Sequence, residues 1–195
     1  MNRFKRLLFL TAIGAISALI SAYLMHRGFE SVRAPAVLKD WQTRTVTQVS
    51  LDSPGEFNAV PMDFGEVKKM LETGESLTFK APGFEVDVIR MTYKPDIELN
   101  LDGGVAGAAG SVAALEGVTN VKHTASAAEV SGKPARRLSI TADRSFDGKT
   151  GVIHVEGLMI LDGRTLYQVQ ATYDSANPHG AEYSERVLKS VRLAH

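Results

Sequence analysis

The stretch Thr165–Asp174, TLYQVQATYD, constrains this chain more than any other, because its side chains sort cleanly by parity. Tyr167, Val169, Ala171 and Tyr173 share one face of an extended strand, and Leu166, Gln168, Gln170 and Thr172 share the other. One apolar and one mostly polar face is the pattern of an antiparallel sheet covered on one side. Asp162–Gly163 just before it supplies a tight turn. Asn177–Pro178 just after it opens a helix with proline in the first turn. Tyr183, Val187, Leu188 and Val191 then form a helical stripe that is the natural cover for the apolar strand face.

The same reading runs along the body. TRTVTQVSL (43–51) predicts a first strand, and SPGEFNAVP after it is irregular. DFGEVKKMLETG (63–74) predicts a helix, with Phe64, Val67, Met70 and Leu71 at helical spacing and Gly74 as its stop. ESLTFKAPG and FEVDVIRMTYK predict a hairpin. In its second arm the apolar parity changes between Val88 and Ile89, which requires a bulge or a strand buried on both faces. Residues 101–117 predict a helix with Asp102 near its N-cap, and three or four meandering strands follow to Asp174. The sum is an α+β fold: a mostly antiparallel sheet flanked by helices, preceded by one N-terminal transmembrane helix.

That leading helix is read from the first 40 residues. Arg3, Lys5 and Arg6 precede an uncharged run from Leu7 to Met25, about 28 Å as a helix, close to the thickness of a bilayer core. The length, and the poor cleavage site after Ala22, favour an uncleaved signal anchor over a cleaved signal peptide. The expected organisation is an anchor over 1–25, a tether over 26–40 and a folded body over 41–195. The basic end stays in the cytoplasm and the body lies across the cytoplasmic membrane, in the periplasm if the cell is bacterial. Gly14, Ala18 and Ala22 form a small-residue stripe on which a second helix could pack.

Charge and composition exclude several classes. Residues 1–40 carry six basic and two acidic side chains, so the neutral chain divides into +4 there and −4 in the rest. A mildly acidic body is unsuited to nucleic acid, whose phosphates need a basic face. With no cysteine, there is no disulfide, thiolate metal site or cysteine nucleophile.

No chemical motif survives inspection, so no catalytic, cofactor-binding or metal residue is assigned and no cofactor is expected. Gly104, Gly107 and Gly110 lack both the dinucleotide spacing and the Gly-Lys-Ser/Thr ending of a phosphate loop. They read as a helix that packs closely. Of the histidines (His26, His123, His154, His179 and His195), only His154 has a carboxylate at strand spacing, Glu156. That pair lacks a third ligand and reads as structural. Ser111 and Ser139 have no partner in sequence, and there is no G-x-S-x-G. Arg136 and Arg137 point to opposite faces of a strand and read as a solvated edge.

VSLDSPGEF (49–57), SGKPARRLSI (131–140), LDGRTLYQVQATYD (161–174) and ERVLKSVRL (185–193) together resemble the Mog/PsbP-like superfamily, which includes bacterial DcrB-like proteins. The resemblance covers roughly residues 43–193. It implies a compact domain of strands flanked by helices, and it implies no reaction. Members are mostly non-catalytic: one group assists the oxygen-evolving side of photosystem II, another binds the GTPase Ran. No partner-binding motif of those groups maps onto this chain, so no site residue is carried over.

The expected function is a non-catalytic binding or assembly module with protein partners at the membrane, which the chain meets through residues 7–25. Two alternatives stand beside it. One is a hydrolase whose site gathers His154 or His123 with distant carboxylates. The other is a carrier of a small apolar ligand beneath the glycine-rich segment 103–110.

Overall fold

The computed structural model describes residues 35, 37–61, 65–146 and 149–194. The anchor, its small-residue stripe, most of the tether, His26, Phe64 and His195 lie outside the described residues. No helix among the described residues is long and apolar enough to cross a membrane.

Ten strands and two α-helices make up this part. A seven-stranded sheet carries β3 (Asn58–Ala59), β4 (Leu71–Ala81), β5 (Phe84–Tyr93), β9 (Thr165–Asp174), β8 (Lys149–Asp162), β7 (Lys133–Phe146) and β6 (Val118–Val130) in that spatial order, every neighbour antiparallel. A small sheet of β1 (Gln42–Val46), β2 (Val49–Ser53) and β10 (Arg192–Leu193) stands beside it. Helix α1 (Leu101–Ala113) covers the β6–β7–β8 half of one face, and α2 (Gly180–Ser190) packs on the other. The expected α+β architecture, the β4–β5 hairpin and the meander β6 to β9 are all present.

The two faces hold two apolar cores. One gathers Ile89, Met91, Val105, Val112, Ile140 and Met159 under α1. The other gathers Val86, Val88, Val169, Ala171, Val187 and Leu193 under α2 and the small sheet. Central strand β5 contributes to both, which explains its parity change: it is buried on both faces and pairs with β9 without a bulge. The face of Tyr167, Val169, Ala171 and Tyr173 is core, and the stripe Tyr183, Val187, Leu188 and Val191 covers it. Gly180 lies so close that a Cβ there would stand 2.3 Å from the Tyr173 ring.

Three local expectations fail. The single strand over 43–51 is a hairpin, β1–β2, turning at Thr47 and Gln48 with φ of 48° and 72°. Neither residue is a turn former; the turn is fixed by tertiary bonds. The Tyr167 hydroxyl donates to Gln48 Oε1 at 2.8 Å, and the Ala194 amide donates to the Gln48 carbonyl at 2.8 Å. The helix over 63–74 is a 3₁₀ segment, Gly65–Met70, that runs straight into β4, so Gly74 sits inside a strand opposite Met91. Val67 and Leu71 still reach the core, because a 3₁₀ turn followed by a strand buries them as a helix would. Finally, β9 is not covered on one side only. Gln168, Gln170 and Thr172 are buried.

Helix α1 ends at Ala113, slightly short of its expected end, and Asn100 rather than Asp102 caps it by accepting from the Asp102 amide at 2.9 Å. A Cβ at Gly104 would stand 3.3 Å from Met159 Sδ, so this glycine lets the helix lie close against the sheet, whereas Gly110 faces open space.

Candidate functional site

The structure disperses most of the side chains that sequence singled out. His154 on β8 stacks on Tyr173 (ring centroids 4.9 Å apart, planes 13° apart), and its Nδ1 lies 3.3 Å from Thr141 Oγ1. Glu156 instead accepts from Ser139 Oγ at 2.6 Å. The pair that shares a face is thus engaged separately, each by a hydroxyl of β7. His123 is exposed on β6, and Ser111 donates to the Gly107 carbonyl within α1 at 2.6 Å. His179 stacks on Tyr183 at 5.5 Å. Among the described residues, no group of three or more His, Cys, Asp or Glu is placed to hold a metal ion.

Arg136 and Arg137 do point to opposite faces, but not from an edge: β7 lies between β6 and β8. Arg136 makes a two-point contact with Asp102 of α1, Nε to Oδ1 at 2.7 Å and Nη2 to Oδ2 at 3.3 Å. Arg137 pairs with Glu185 of α2. The dipeptide therefore ties one helix to each side of the sheet. The guanidinium holds the Asp102 carboxyl below the usual range, first by hydrogen bonding and then by charge.

Two features were not anticipated. The first is a polar row on β4, β5 and β9, buried apart from Lys80. Pairing register puts Lys80, Glu85 and Thr172 in one rank, and Thr78, Asp87 and Gln170 in the next. Thr78 Oγ1 donates to Asp87 Oδ1 at 2.7 Å, and Lys80 Nζ stands 3.2 Å from Glu85 Oε2. Along β9, Gln168 donates to Gln170 at 3.0 Å and Gln170 to Thr172 at 3.4 Å. Burial pushes the Asp87 carboxyl well above its ordinary value, and the neighbouring Glu85 pushes it further. Burial also raises Glu85, against the pull of Lys80. The signal was present in FEVDVI: Glu85 and Asp87 share parity with Ile89, Met91 and Tyr93, so they had to enter the same layer. Asp87 is only 1% exposed, and Glu85 Oε1 and Gln168 Oε1 of the same row are buried without a hydrogen-bond partner among the described residues.

The second feature is the free edge of the large sheet. β6 is 13 residues long, and among the described residues it pairs with β7 alone. Residues 122–127 are all exposed. Natural sheets guard such edges with charge, proline, bulges or short strands. Here the guards sit toward the ends: an irregular register between Thr119 and Lys122, Lys122 itself, and Glu129. Between His123 and Glu129 the sequence is TASAA, with no charge and no proline. Alternate residues of an edge strand turn both N–H and C=O outward, so this run presents a row of backbone donors and acceptors with no strand partner among the described residues.

No family model matches the chain, and no curated protein sequence matches it. Solved structures do. PsbP of Synechocystis sp. PCC 6803 (CyanoP) superposes with a TM-score of 0.56 at 12% identity, over 85% of this chain and 98% of that one. LpqN of Mycobacterium tuberculosis, described as involved in cell envelope biogenesis, gives 0.48 at 13% identity over 75% and 83%. The Saccharomyces cerevisiae Ran-binding protein Mog1p gives 0.47 at 8% identity over 78% and 95%. At such identities a likeness speaks for fold and not for activity. The superposition on PsbP carries the assignment of fold: the folded body of this chain has the Mog1/PsbP-like fold.

Proposed function

We propose that this chain is a non-catalytic binding or assembly module that recognises protein through the free edge of its large sheet. The observation that carries the reading is β6: a long strand whose outer backbone has no pairing partner among the described residues and whose centre lacks the charges that normally prevent pairing. Strand addition to such an edge takes its affinity from main-chain hydrogen bonds, and a well-ordered sheet behind it supplies the template. The separate engagement of His154 and Glu156 is consistent with a module whose polar side chains serve structure.

The module is held at the cytoplasmic membrane by residues 1–25, with its body on the far side. This part rests on the basic opening and the 7–25 apolar run. The test compares the full chain with a chain lacking residues 1–25 in the native cell. The full chain should stay with carbonate-washed membranes, and its body should be cut by protease added outside the membrane. A body protected from external protease, or a full chain released by carbonate, contradicts the topology.

A further inference from the structure

At the C-terminal end of β6 the edge runs into a groove of about 370 Å³. Its lining includes Val130, Leu158, Leu188 and Val191, apolar side chains of the sheet on one side and of the end of α2 with the following residue on the other, all buried in the α2-side core so that only their edges reach the groove. Its basic members are Lys189 and Arg192, with Arg137 between the sheet and α2. Glu185 is shared by Arg137 and Lys189, so one carboxylate serves two cations. Arg192 has no carboxylate partner among the described residues. Its Nη1 donates to the carbonyls of Lys189 and Val191, at 2.9 and 2.6 Å. Those bonds offset the negative end of α2 where an incoming acid would otherwise be repelled. Glu129 is the one acidic residue of the lining.

Resting on the edge-recognition reading above, we infer that β6 and this groove take one extended segment of a partner protein. The segment pairs along 122–129 and sets an aliphatic side chain followed by a carboxylate into the groove. Edge and groove are continuous through Ala128, Glu129 and Val130, which belong to both. The edge supplies affinity without sequence preference, and the groove supplies the preference: chiefly the exposed Arg192 guanidinium for the acid, with a narrow apolar margin of buried core residues for the aliphatic group beside it.

The test is selection of a random 12-residue peptide library, displayed on phage, against the immobilised full chain in detergent. The best peptide should carry an Asp or Glu next to Leu, Ile or Val. Its Kd should weaken at least tenfold in Arg192→Glu, and Glu182→Lys, in the exposed first turn of α2, should leave it unchanged. Proline at Ala125 and at Ser126 are both made, because one of these neighbours has its N–H outward and tolerates proline. The variant that keeps the parent melting temperature should also lose at least tenfold. Loss with proline but no acid preference and no effect of Arg192→Glu overturns this inference and leaves edge recognition standing. Peptides indifferent to both changes, or no selected peptides, overturn both. A second copy on the edge, seen as a dimer by sedimentation and removed by the tolerated proline, overturns the inference of a partner segment.

Discussion

Asp87→Asn should make the body more stable at neutral pH. Asp87 is 1% exposed, and its Oδ1 accepts from Thr78 Oγ1 at 2.7 Å, a bond that the Asn oxygen can keep. What Asn removes is the carboxyl's titration. The folded body holds the Asp87 proton to a higher pH than the unfolded chain, where an aspartate titrates at about 3.9. A raised folded value means that stability from this group is complete below the unfolded value and is lost as pH rises towards the folded one. Across that window the parent loses up to about 1.4 kcal/mol per pH unit relative to Asn. Glu85 is raised in the same direction and interacts with Asp87 by charge and hydrogen bonding, so the gap between the two proteins reports the titration of the pair. The assay is urea unfolding of both proteins at several pH values between 4 and 8. The two should converge near pH 4 and separate as pH rises, with Asn the more stable. An Asn variant less stable than its parent at pH 7, with a gap that does not change with pH, would refute the placement of a protonated carboxyl in this row.

Other substitutions probe the frame. Val169→Asp puts an unpaired charge under α2 at a site with no exposure, a cost of several kcal/mol against a total stability of about 5–15; circular dichroism should show no cooperative melt, whereas Val169→Ala should still fold. Gly117→Ala combines a φ of +73° with a Cβ 2.0 Å from the Ser145 carbonyl oxygen, so it should lower the melting temperature clearly more than Gly132→Ala. Gly132 has a φ of +75° with open space around it, and its substitution should cost only the left-handed penalty of about 1–2 kcal/mol. Gly180→Ala should destabilise by displacing the Tyr173 ring, and the disturbance should show in the NMR shifts of His154, which stacks on that ring.

Much of the fold was legible because its strands announce themselves by alternation and its turns by composition. The β8–β9 hairpin follows from Asp162–Gly163, and the cover of β9 follows from the stripe at Tyr183, Val187, Leu188 and Val191. What sequence missed is set by contacts distant in the chain. Thr47–Gln48 turns because Tyr167 and Ala194 hold Gln48, and nothing in TQ itself signals it. Val67, Met70 and Leu71 recur at helical spacing, yet β5 draws Leu71 into a strand opposite Tyr93. Gln168, Gln170 and Thr172 look like a solvated face until register aligns them with Ile89, Asp87 and Glu85. The open edge was hidden for a related reason. TASAA is an unremarkable string, and its meaning comes only from the position of β6 at the end of the strand order.

The most direct test of edge recognition is photo-crosslinking in native membranes, with a photoreactive residue replacing Ser126 in the full chain and, in a parallel chain, Glu182. Ser126 lies in the exposed centre of β6, and Glu182 is exposed on α2. Edge recognition predicts a discrete protein adduct from position 126, absent from position 182 and lost when the tolerated proline is introduced at 125 or, with the photoreactive residue moved to the exposed Ala127, at 126. Equal adducts from both positions, or none from position 126, would contradict the account.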